Sequence, residues 1–304
     1  MNNSILDQFR LTVIEKRLGL YGITIYKRGE GVISHRWRAD DKVCVYSGSK
    51  TFTSIAVGIC RDEGRLSLYD KVIDYFPEYK GISSGSANSM TIRDLLHMAS
   101  GKGAFWFSVD EQTLHNVDWA ELFFKEPQIK DPGVKFFYSN ACTYMLSRIV
   151  EKVSGDILRD FLIPRLFSPL EILNPQWHTC PKGHTLGATE LFLTTAEFSR
   201  LGIMLLHDGI YMDKVIVSKE YIQEAVTDII ETKDCGFQDM ESMAGYGYQL
   251  WRCSPEGVYR ADGKYGQFCI VIPDKEAVVT ITAHEERAQN DILRAVYHDI
   301  FPRL

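Results

Sequence analysis

Residues 43–57 have the sequence VCVYSGSKTFTSIAV, and this stretch changes character in its middle. The first four residues form a short apolar run, which predicts a β-strand over Val43–Tyr46. From Ser47 onward, the spacing changes to steps of three and four residues, which would put the recurring residues on one face of a helix. This pattern predicts a helix that ends at Gly64. The segment is therefore a strand that gives way to a helix, with Ser47 at the junction.

The junction carries a Ser-x-x-Lys pair, Ser47 and Lys50, and no other serine of the chain has a lysine three residues later. Residues i and i+3 share a helix face, so the ammonium is expected within reach of the hydroxyl. The helix N-terminus favours negative charge near Ser47. A serine hydroxyl becomes a good nucleophile only when a base takes its proton. The alternative is that Ser47 caps the helix and Lys50 is a solvated surface residue.

A second polar group is Tyr138-Ser139-Asn140, the only Tyr-x-Asn of the chain, which precedes a predicted helix over Cys142–Val153. Positive charge from nearby lysines would lower the pKa of Tyr138 and hold it partly as phenolate. It would then act as general base for Ser47 and later as general acid. Asn140 would hydrogen-bond a substrate carbonyl and the lysine. The alternative is a core tyrosine followed by a helix cap.

A third group is Lys264–Gln267, with the sequence KYGQ, which opens a predicted strand over Phe268–Ile272. The backbone N–H of Gln267, together with that of Ser47, would form an oxyanion hole. Gly266 would let a substrate approach the backbone closely, because glycine has no side chain.

Strand patterns lie near both ends of the chain, and helical patterns fill the middle. Further strands are predicted at Gly22–Tyr26, Val32–Ser34, Tyr246–Trp251, Gly257–Ala261 and Val278–Thr282, and further helices at 4–18, Thr91–Leu96, Thr195–His207, Ser218–Ala225 and 287–300. This order predicts one α/β (α+β) domain over residues 1–304. Its central antiparallel sheet would come from about 1–80 and 240–304, and a helical lobe from about 81–239.

Composition excludes several classes of protein. The 304 residues carry a net charge of −6 without a basic stripe, which argues against nucleic acid and anionic membranes as partners. No signal peptide or membrane span is apparent. Seven cysteines, an odd number without a C-x-x-C pair, favour free thiols and a cytoplasmic location. The eight histidines show no ligand spacing, so neither a metal nor another cofactor is expected.

The three motifs, in this order along the chain, resemble the class C β-lactamase and penicillin-binding protein-like esterase family. The flanking segments Lys50–Ser54, Asp70–Glu78, Thr91–Gly101 and Gly245–Tyr248 are similar to that family as well. The resemblance covers residues from about 20 to 285. It implies a β-lactamase/transpeptidase-like fold with the site between the sheet and the helical lobe.

The resemblance also implies catalytic roles. Ser47 would be acylated, Lys50 and Tyr138 would handle the proton, and Asn140 would orient the substrate. No metal or cofactor takes part in this chemistry.

On the substrate-binding side, the resemblance implies that Lys264 adds positive charge and that Gly266 and Gln267 belong to the oxyanion and binding strand. Trp106 would line the acyl pocket, with core packing as the alternative. Tyr265 departs from the family, because many of its β-lactamases have Thr or Ser there to bind the carboxylate of a β-lactam. The bulky Tyr265 is more similar to the esterase and amide-hydrolase branches.

The predicted function is hydrolysis of an ester or amide bond in a small molecule through an acyl-enzyme on Ser47. One alternative is a β-lactamase or D-alanyl carboxypeptidase, whose substrate is β-lactam-like or a peptide. An alternative of another class is a penicillin-binding or sensing protein that is acylated without turnover. The sequence leaves the oligomeric state open.

Overall fold

The computed structural model describes residues 2–83, 85–103, 117–236 and 239–304. Eleven strands occur in this part of the chain: β1 Leu20–Lys27, β2 Gly31–Arg36, β3 Val43–Cys44, β4 Gln176–Trp177, β5 Leu191–Leu193, β6 Ile210–Tyr211, β7 Lys214–Val215, β8 Trp251–Arg252, β9 Tyr259–Gly263, β10 Gln267–Ile272 and β11 Ala277–Ala283. Six of them form the main antiparallel sheet in the order β2-β1-β11-β10-β9-β8. The sheet is therefore built from both ends of the sequence.

The same described residues contain nine α-helices: α1 Asp7–Glu15, α2 Ser49–Asp62, α3 Ile92–Leu96, α4 Trp119–Lys125, α5 Asn140–Ser154, α6 Leu158–Leu162, α7 Thr195–Leu206, α8 Lys219–Thr227 and α9 Gln289–Ala295. The helix starts follow the sequence. Thr91 caps α3 and Thr194 caps α7, each through a reciprocal capping box with the acidic residue three positions later. Gly155 ends α5 in the left-handed conformation, at φ +85°.

The main sheet has helices on both faces. Successive side chains of a strand point to opposite sides of a sheet, so a single strand can contribute to the core on each face. On β10, Cys269 and Val271 join the larger core, which includes α7 and the helical lobe. Phe268 and Ile270 of the same strand join a second core with α1 and α9. The predicted fold class, an antiparallel sheet from both termini with a helical middle, is confirmed. The division of residues 1–304 into lobes stays a prediction.

Two predicted strands are wrong in extent. Of Tyr246–Trp251, only Trp251 enters the sheet, because Gln249 adopts a left-handed backbone at φ +61°. The side-chain amide of Gln249 donates to the Leu96 carbonyl at 2.8 Å, which holds this stretch against α3 instead. Of Val43–Tyr46, only Val43–Cys44 is a strand, paired with β5 in a separate three-stranded sheet.

Three further features of the described residues concern helix length, clusters of potential metal ligands and cysteines. Within the described ranges, no helix has the length and apolar character that a bilayer crossing requires. The same ranges hold no group of three or more potential metal ligands. All seven cysteines are free thiols.

Candidate active site

Ser47 lies in a single 3-10 turn, Tyr46–Gly48, immediately before α2. The sequence places it at the helix start, and the structure puts it two residues ahead of the first α-helical residue. Tyr46 has φ +46°, a conformation that costs free energy for a residue with a side chain and that surrounding contacts must hold. The Ser49 hydroxyl donates to the Tyr46 carbonyl at 2.7 Å. The turn therefore has a defined shape that presents the hydroxyl of Ser47.

Two glycines allow close packing around this turn. A Cβ on Gly263, the last residue of β9, would lie 2.1 Å from the carbonyl oxygen of Val45. A Cβ on Gly48 would lie 2.8 Å from the ring of Phe198 on α7. Real Cβ atoms do not approach other atoms so closely, so both positions require glycine. The turn is held between the main sheet and α7.

Lys50, in the first turn of α2, points back to Ser47. Its Nζ donates to the Ser47 Oγ at 2.8 Å, to the Asn140 Oδ1 at 2.6 Å and to the Ala188 carbonyl at 2.8 Å. Only 1% of the residue is exposed. The contact expected from the i, i+3 spacing is present, whereas a solvated Lys50 is excluded.

Burial changes the acid–base chemistry of this lysine. Desolvation lowers the pKa of Lys50 to about 7, against a smaller opposing effect of the Asp262 carboxylate. Near neutral pH, a large fraction of the side chain is therefore a neutral amine. A neutral amine has a lone pair and can accept a proton from the Ser47 hydroxyl.

Tyr138 completes the group around the hydroxyl. The side chains of Tyr138 and Ser47 share a hydrogen bond, and Lys50 Nζ lies 5.0 Å from the centre of the Tyr138 ring. Burial raises the pKa of Tyr138 well above its ordinary value, and this effect exceeds that of the hydrogen bond from Ser47. The expectation of a phenolate is therefore wrong, because loss of water outweighs the nearby positive charge.

Asn140 is the first residue of α5 and is buried beside Lys50. Ser139 caps the helix through its hydroxyl, which accepts from the Ala141 N–H at 3.2 Å. The cap orients the first turn of α5 so that the side-chain oxygen of Asn140, Oδ1, faces the Nζ of Lys50. The predicted Asn140–Lys50 contact is thus present in the structure.

The β9–β10 hairpin supplies the opposite side of the site. Its loop is Lys264–Gly266, which directly follows Gly263, the last residue of β9. Lys264 is exposed, and its Nζ lies 4.6 Å from the centre of the Tyr265 ring. Tyr265 stacks on His284 at 4.4 Å and meets Tyr46 edge-on at 5.2 Å, between ring centres. The ring of Tyr265 thus joins the hairpin to the turn that carries Ser47.

The last two residues of the predicted binding group are the final residue of this loop and the first residue of β10. Gly266 has φ +89°, and a Cβ there would lie 2.6 Å from Ile292 of α9. This conformation favours glycine in a tight hairpin. Gln267 begins β10, and its side-chain amide exchanges hydrogen bonds with the backbone of Ala283. Both β9 and β10 contact the turn of Ser47, which brings the start of β10 to the site.

A cavity of about 580 Å³ lies between the two sides. It brings together Ser47, Tyr138 and Lys264 of the predicted group, and Trp251 and Phe137 add aromatic walls. Lys50 and Asn140 lie beneath it, in contact with Ser47 or with each other. Tyr265, Gly266 and Gln267 are not among the described residues that line it. Trp106 lies outside the described residues.

Sequence reasoning missed an ion pair on the cavity wall. Arg260 is 2% exposed, and its Nε donates to the Asp262 Oδ2 at 2.8 Å. Both residues line the cavity. Their i, i+2 spacing on β9 puts them on one strand face, and this spacing of opposite charges inside an apolar strand is a signal that the sequence contains.

An antiparallel sheet with helices on both faces, and a serine on a turn between them with a lysine beneath it, is the arrangement of the β-lactamase-fold serine hydrolases. Residues 14–299 match the Beta-lactamase family, and the chain belongs to this family.

Individual relatives are distant. Protein flp of Staphylococcus aureus (strain MW2) is 28% identical over 131 residues, which are 42% of this chain and 26% of that protein. The match thus spans about a quarter of this relative's length. The 6-aminohexanoate-dimer hydrolase of Paenarthrobacter ureafaciens is 27% identical over 278 residues, which cover 83% of this chain and 69% of that protein.

Among solved structures, the D-stereospecific amidohydrolase from Streptomyces sp. superimposes with a TM-score of 0.73 at 17% identity, with 100% of both chains covered. At this identity the similarity shows a shared fold.

Proposed function

We propose that this protein hydrolyses an amide or ester bond of a small molecule through an acyl-enzyme on Ser47. One observation carries the proposal: the Ser47 hydroxyl lies 2.8 Å from a buried lysine whose pKa is about 7. A base with a pKa near the working pH is the most effective for proton transfer. Lys50 is therefore assigned as the main base.

In acylation, the Ser47 oxygen attacks the substrate carbonyl carbon while its proton moves to Lys50 Nζ. The carbonyl oxygen becomes an oxyanion, which the backbone N–H groups of Ser47 and Gln267 would stabilise. The tetrahedral intermediate collapses when the bond to the leaving group breaks. The proton held by Lys50 passes to the leaving group through the Tyr138 hydroxyl, which stays protonated because its pKa is raised.

In deacylation, water takes the place of the leaving group. It gives a proton to the same Lys50–Tyr138 pair and attacks the acyl carbon, and Ser47 leaves with that proton restored. The side-chain oxygen of Asn140 accepts a hydrogen bond from Lys50 and holds the lysine in position. Lys264, on the open side of the cavity, would attract a negative group of the substrate.

Tyr265 favours amides and esters over β-lactams as substrates. Its ring is held between His284 and Tyr46, and it offers no small hydroxyl of the kind that binds the carboxylate of a β-lactam in many related β-lactamases. The names of two similar proteins, a 6-aminohexanoate-dimer hydrolase and a D-stereospecific amidohydrolase, support an amide bond as the target.

The test is covalent labelling followed by turnover. A fluorophosphonate probe should add its phosphonyl mass to the peptide that contains Ser47, and short-chain nitrophenyl esters and amino-acid nitroanilides should release chromophore. Ser47→Ala should lose both. Ser89→Ala, an exposed serine bonded only to the Ser86 carbonyl among its described contacts, should keep both. Full labelling of Ser47→Ala would refute the mechanism.

The same assay separates the alternatives. Nitrocefin hydrolysis at rates above those for nitroanilides would indicate a β-lactamase. A stable adduct on Ser47 without release of product would indicate a sensing protein.

A further inference from the structure

Tyr46, the residue before Ser47, and Tyr265, the middle residue of the β9–β10 loop, share an unusual backbone conformation. Tyr46 has φ +46° and Tyr265 has φ +68°, both in the left-handed region that residues with a side chain rarely adopt. Such conformations cost free energy and persist where surrounding contacts hold them. The rings of the two residues meet edge-on, with their centres 5.2 Å apart. Two strained residues from distant parts of the sequence therefore contact each other at the turn that carries the nucleophile.

The backbone of Tyr265 is fixed through both of its polar groups. Its N–H donates to the side-chain oxygen of Gln289, the first residue of α9, at 3.1 Å, and its carbonyl accepts from the Glu285 N–H at 2.9 Å. The carboxylate of Glu285 accepts in turn from the Gly19 N–H at 3.0 Å, next to the start of β1. The segment that follows β11 thus determines the direction in which the Tyr265 ring leaves the loop.

The ring of Tyr265 has further supports besides Tyr46. The imidazole of His284 stacks on it, with ring centres 4.4 Å apart and planes 23° apart. The Nζ of Lys264 lies 4.6 Å from the centre of the same ring. Stacked and edge-on ring contacts at such distances stabilise a packed arrangement beyond the effect of burial. The ring of Tyr46 therefore packs against a partner that cannot rotate away without breaking the stack.

On the other side of this contact, the position of Tyr46 determines that of Ser47. The Tyr46 carbonyl accepts from the Ser49 hydroxyl at 2.7 Å, and the Tyr46 N–H donates to the Cys44 Sγ at 3.3 Å. The peptide bond that follows Tyr46 is planar, so a rotation of the Tyr46 backbone moves Ser47 with it. The Ser47 hydroxyl lies 2.8 Å from the Nζ of Lys50, and such a rotation would lengthen that distance.

We propose that Tyr265 and Tyr46 are positioning residues, whose ring contact holds the left-handed backbone of Tyr46 and so keeps the Ser47 hydroxyl at Lys50. The inference rests on the function proposed above. Neither ring needs to touch the substrate, because the effect passes through the backbone of the turn. A displacement of about 1 Å at a reacting group reduces a rate by up to about 10²-fold, so a contact of this kind has a measurable effect on acylation.

The experiment measures labelling of Ser47 by a fluorophosphonate probe at several probe concentrations, which separates the maximal rate, kinact, from the half-saturating concentration, KI. In Tyr265→Leu, kinact should fall about 10–100-fold, because the hydroxyl is no longer held at the lysine. KI should stay within about twofold of the wild type, since binding of the probe is not affected. Tyr265→Phe keeps the ring and should restore the wild-type kinact. A rise in KI at unchanged kinact would overturn the assignment, because Tyr265 would then act on the probe itself.

A double-mutant cycle tests whether the two rings act through each other. Tyr46→Leu should lower kinact about as much as Tyr265→Leu. The variant with both substitutions should lose little more than either single variant, since the same contact is removed in each. Losses that multiply would show that the two rings act independently, and the proposal would be wrong.

Tyr79→Leu is the matched control for the loss of aromatic packing. Tyr79 is a half-buried tyrosine in the short turn Pro77–Tyr79, and its ring packs on Phe76 and Phe124, with centres 6.4 Å and 5.5 Å apart. The kinact of this variant should equal that of the wild type, whatever the change in its unfolding midpoint. An equal fall of kinact in Tyr79→Leu and Tyr265→Leu would contradict the assignment, because any loss of packing would then have the same effect.

His284→Ala keeps the inference testable if Tyr265→Leu does not fold. The side chain of His284 is 43% exposed, and its removal takes away the stacked support of the Tyr265 ring together with a surface contact to Glu286. Here kinact should fall about threefold at unchanged KI, as expected for one ring contact. An unchanged kinact in the folded variants refutes the inference alone. No labelling of Ser47 in the wild-type protein refutes the proposed function itself.

Discussion

The two sides of the cavity each contain a lysine, and the two lysines have opposite surroundings. On the α2 side, Lys50 is enclosed, and its Nζ donates hydrogen bonds to a hydroxyl, a side-chain amide oxygen and a backbone carbonyl. On the hairpin side, Lys264 is exposed and faces an aromatic ring. Enclosure lowers the pKa of Lys50 to about 7. The comparison teaches that burial can give one of two lysines at the same cavity the low pKa that its proposed role as a base requires.

The largest loss of activity is expected when the buried amine of Lys50 is removed. Lys50→Met should reduce acylation of Ser47 by about 10²–10⁴-fold, the usual contribution of a general base. The measurement is the rate of nitrophenyl ester hydrolysis, with circular dichroism to show that the variant is folded. A loss smaller than that caused by Lys264→Met would break the comparison.

The next largest effect is expected from a change at the contact between β9 and the turn of Ser47. Gly263→Ala places a Cβ 2.1 Å from the Val45 carbonyl and pushes β9 away from the turn of Ser47. The free energy of unfolding should fall by about 1–3 kcal/mol, as for other overpacked sites. Urea titration measures it, and the rate of nitrophenyl ester hydrolysis should fall in parallel.

The control for this substitution is Gly81→Ala. No atom lies within 4 Å of a Cβ at Gly81, and its backbone is not left-handed. Its unfolding midpoint and activity should equal those of the wild type. A loss of stability equal to that of Gly263→Ala would show that the close contact is not the cause.

The pH dependence sharpens the comparison further. Because burial lowers the pKa of Lys50 to about 7, the amine is protonated below that pH and neutral above it. The rate of acylation should therefore rise with pH through about 7, and it should be about tenfold lower at pH 6 than at pH 8. Steady-state kcat/KM across this range is the measurement. A rate that falls as pH rises from 6 to 8 would assign the base to another group.

The smallest effect is expected on the open side. Lys264→Met should reduce kcat/KM for a substrate with a carboxylate by about fivefold, because an exposed charge contributes about 1 kcal/mol or less. A neutral ester of similar size should be affected less. The acid limb should remain where it is in the wild type. Equal loss for both substrates would show that Lys264 does not recognise negative charge.

Local geometry explains which part of the site the sequence predicts. The contact of Lys50 with Ser47 follows from helix spacing alone, and the capping of α3 at Thr91 follows from its capping box. Local spacing does not predict that Tyr138 and Lys264 lie at the same site. That prediction came from the order of the three motifs and the family resemblance that this order carries. The fold class followed from strand patterns at both ends.

The remaining features depend on packing between distant segments. The raised pKa of Tyr138 results from burial that no local pattern reveals, so the phenolate hypothesis was wrong. The early end of the strand at Cys44 and the short β8 follow from left-handed residues, Tyr46 and Gln249, whose conformation is set by their neighbours. The positions of Tyr265 and His284 depend on how the hairpin meets α9 and β11.

The pairing of β1 with β11 has a consequence for biosynthesis. Ser47 and Lys50 are translated before β9, β10 and β11, the strands that complete the main sheet. Until β11 leaves the ribosome, the edge of β1 that pairs with it has no partner strand. The sheet beside the turn of Ser47 is therefore complete only after strands from distant parts of the sequence have paired, and folding of this region must wait for the later strands.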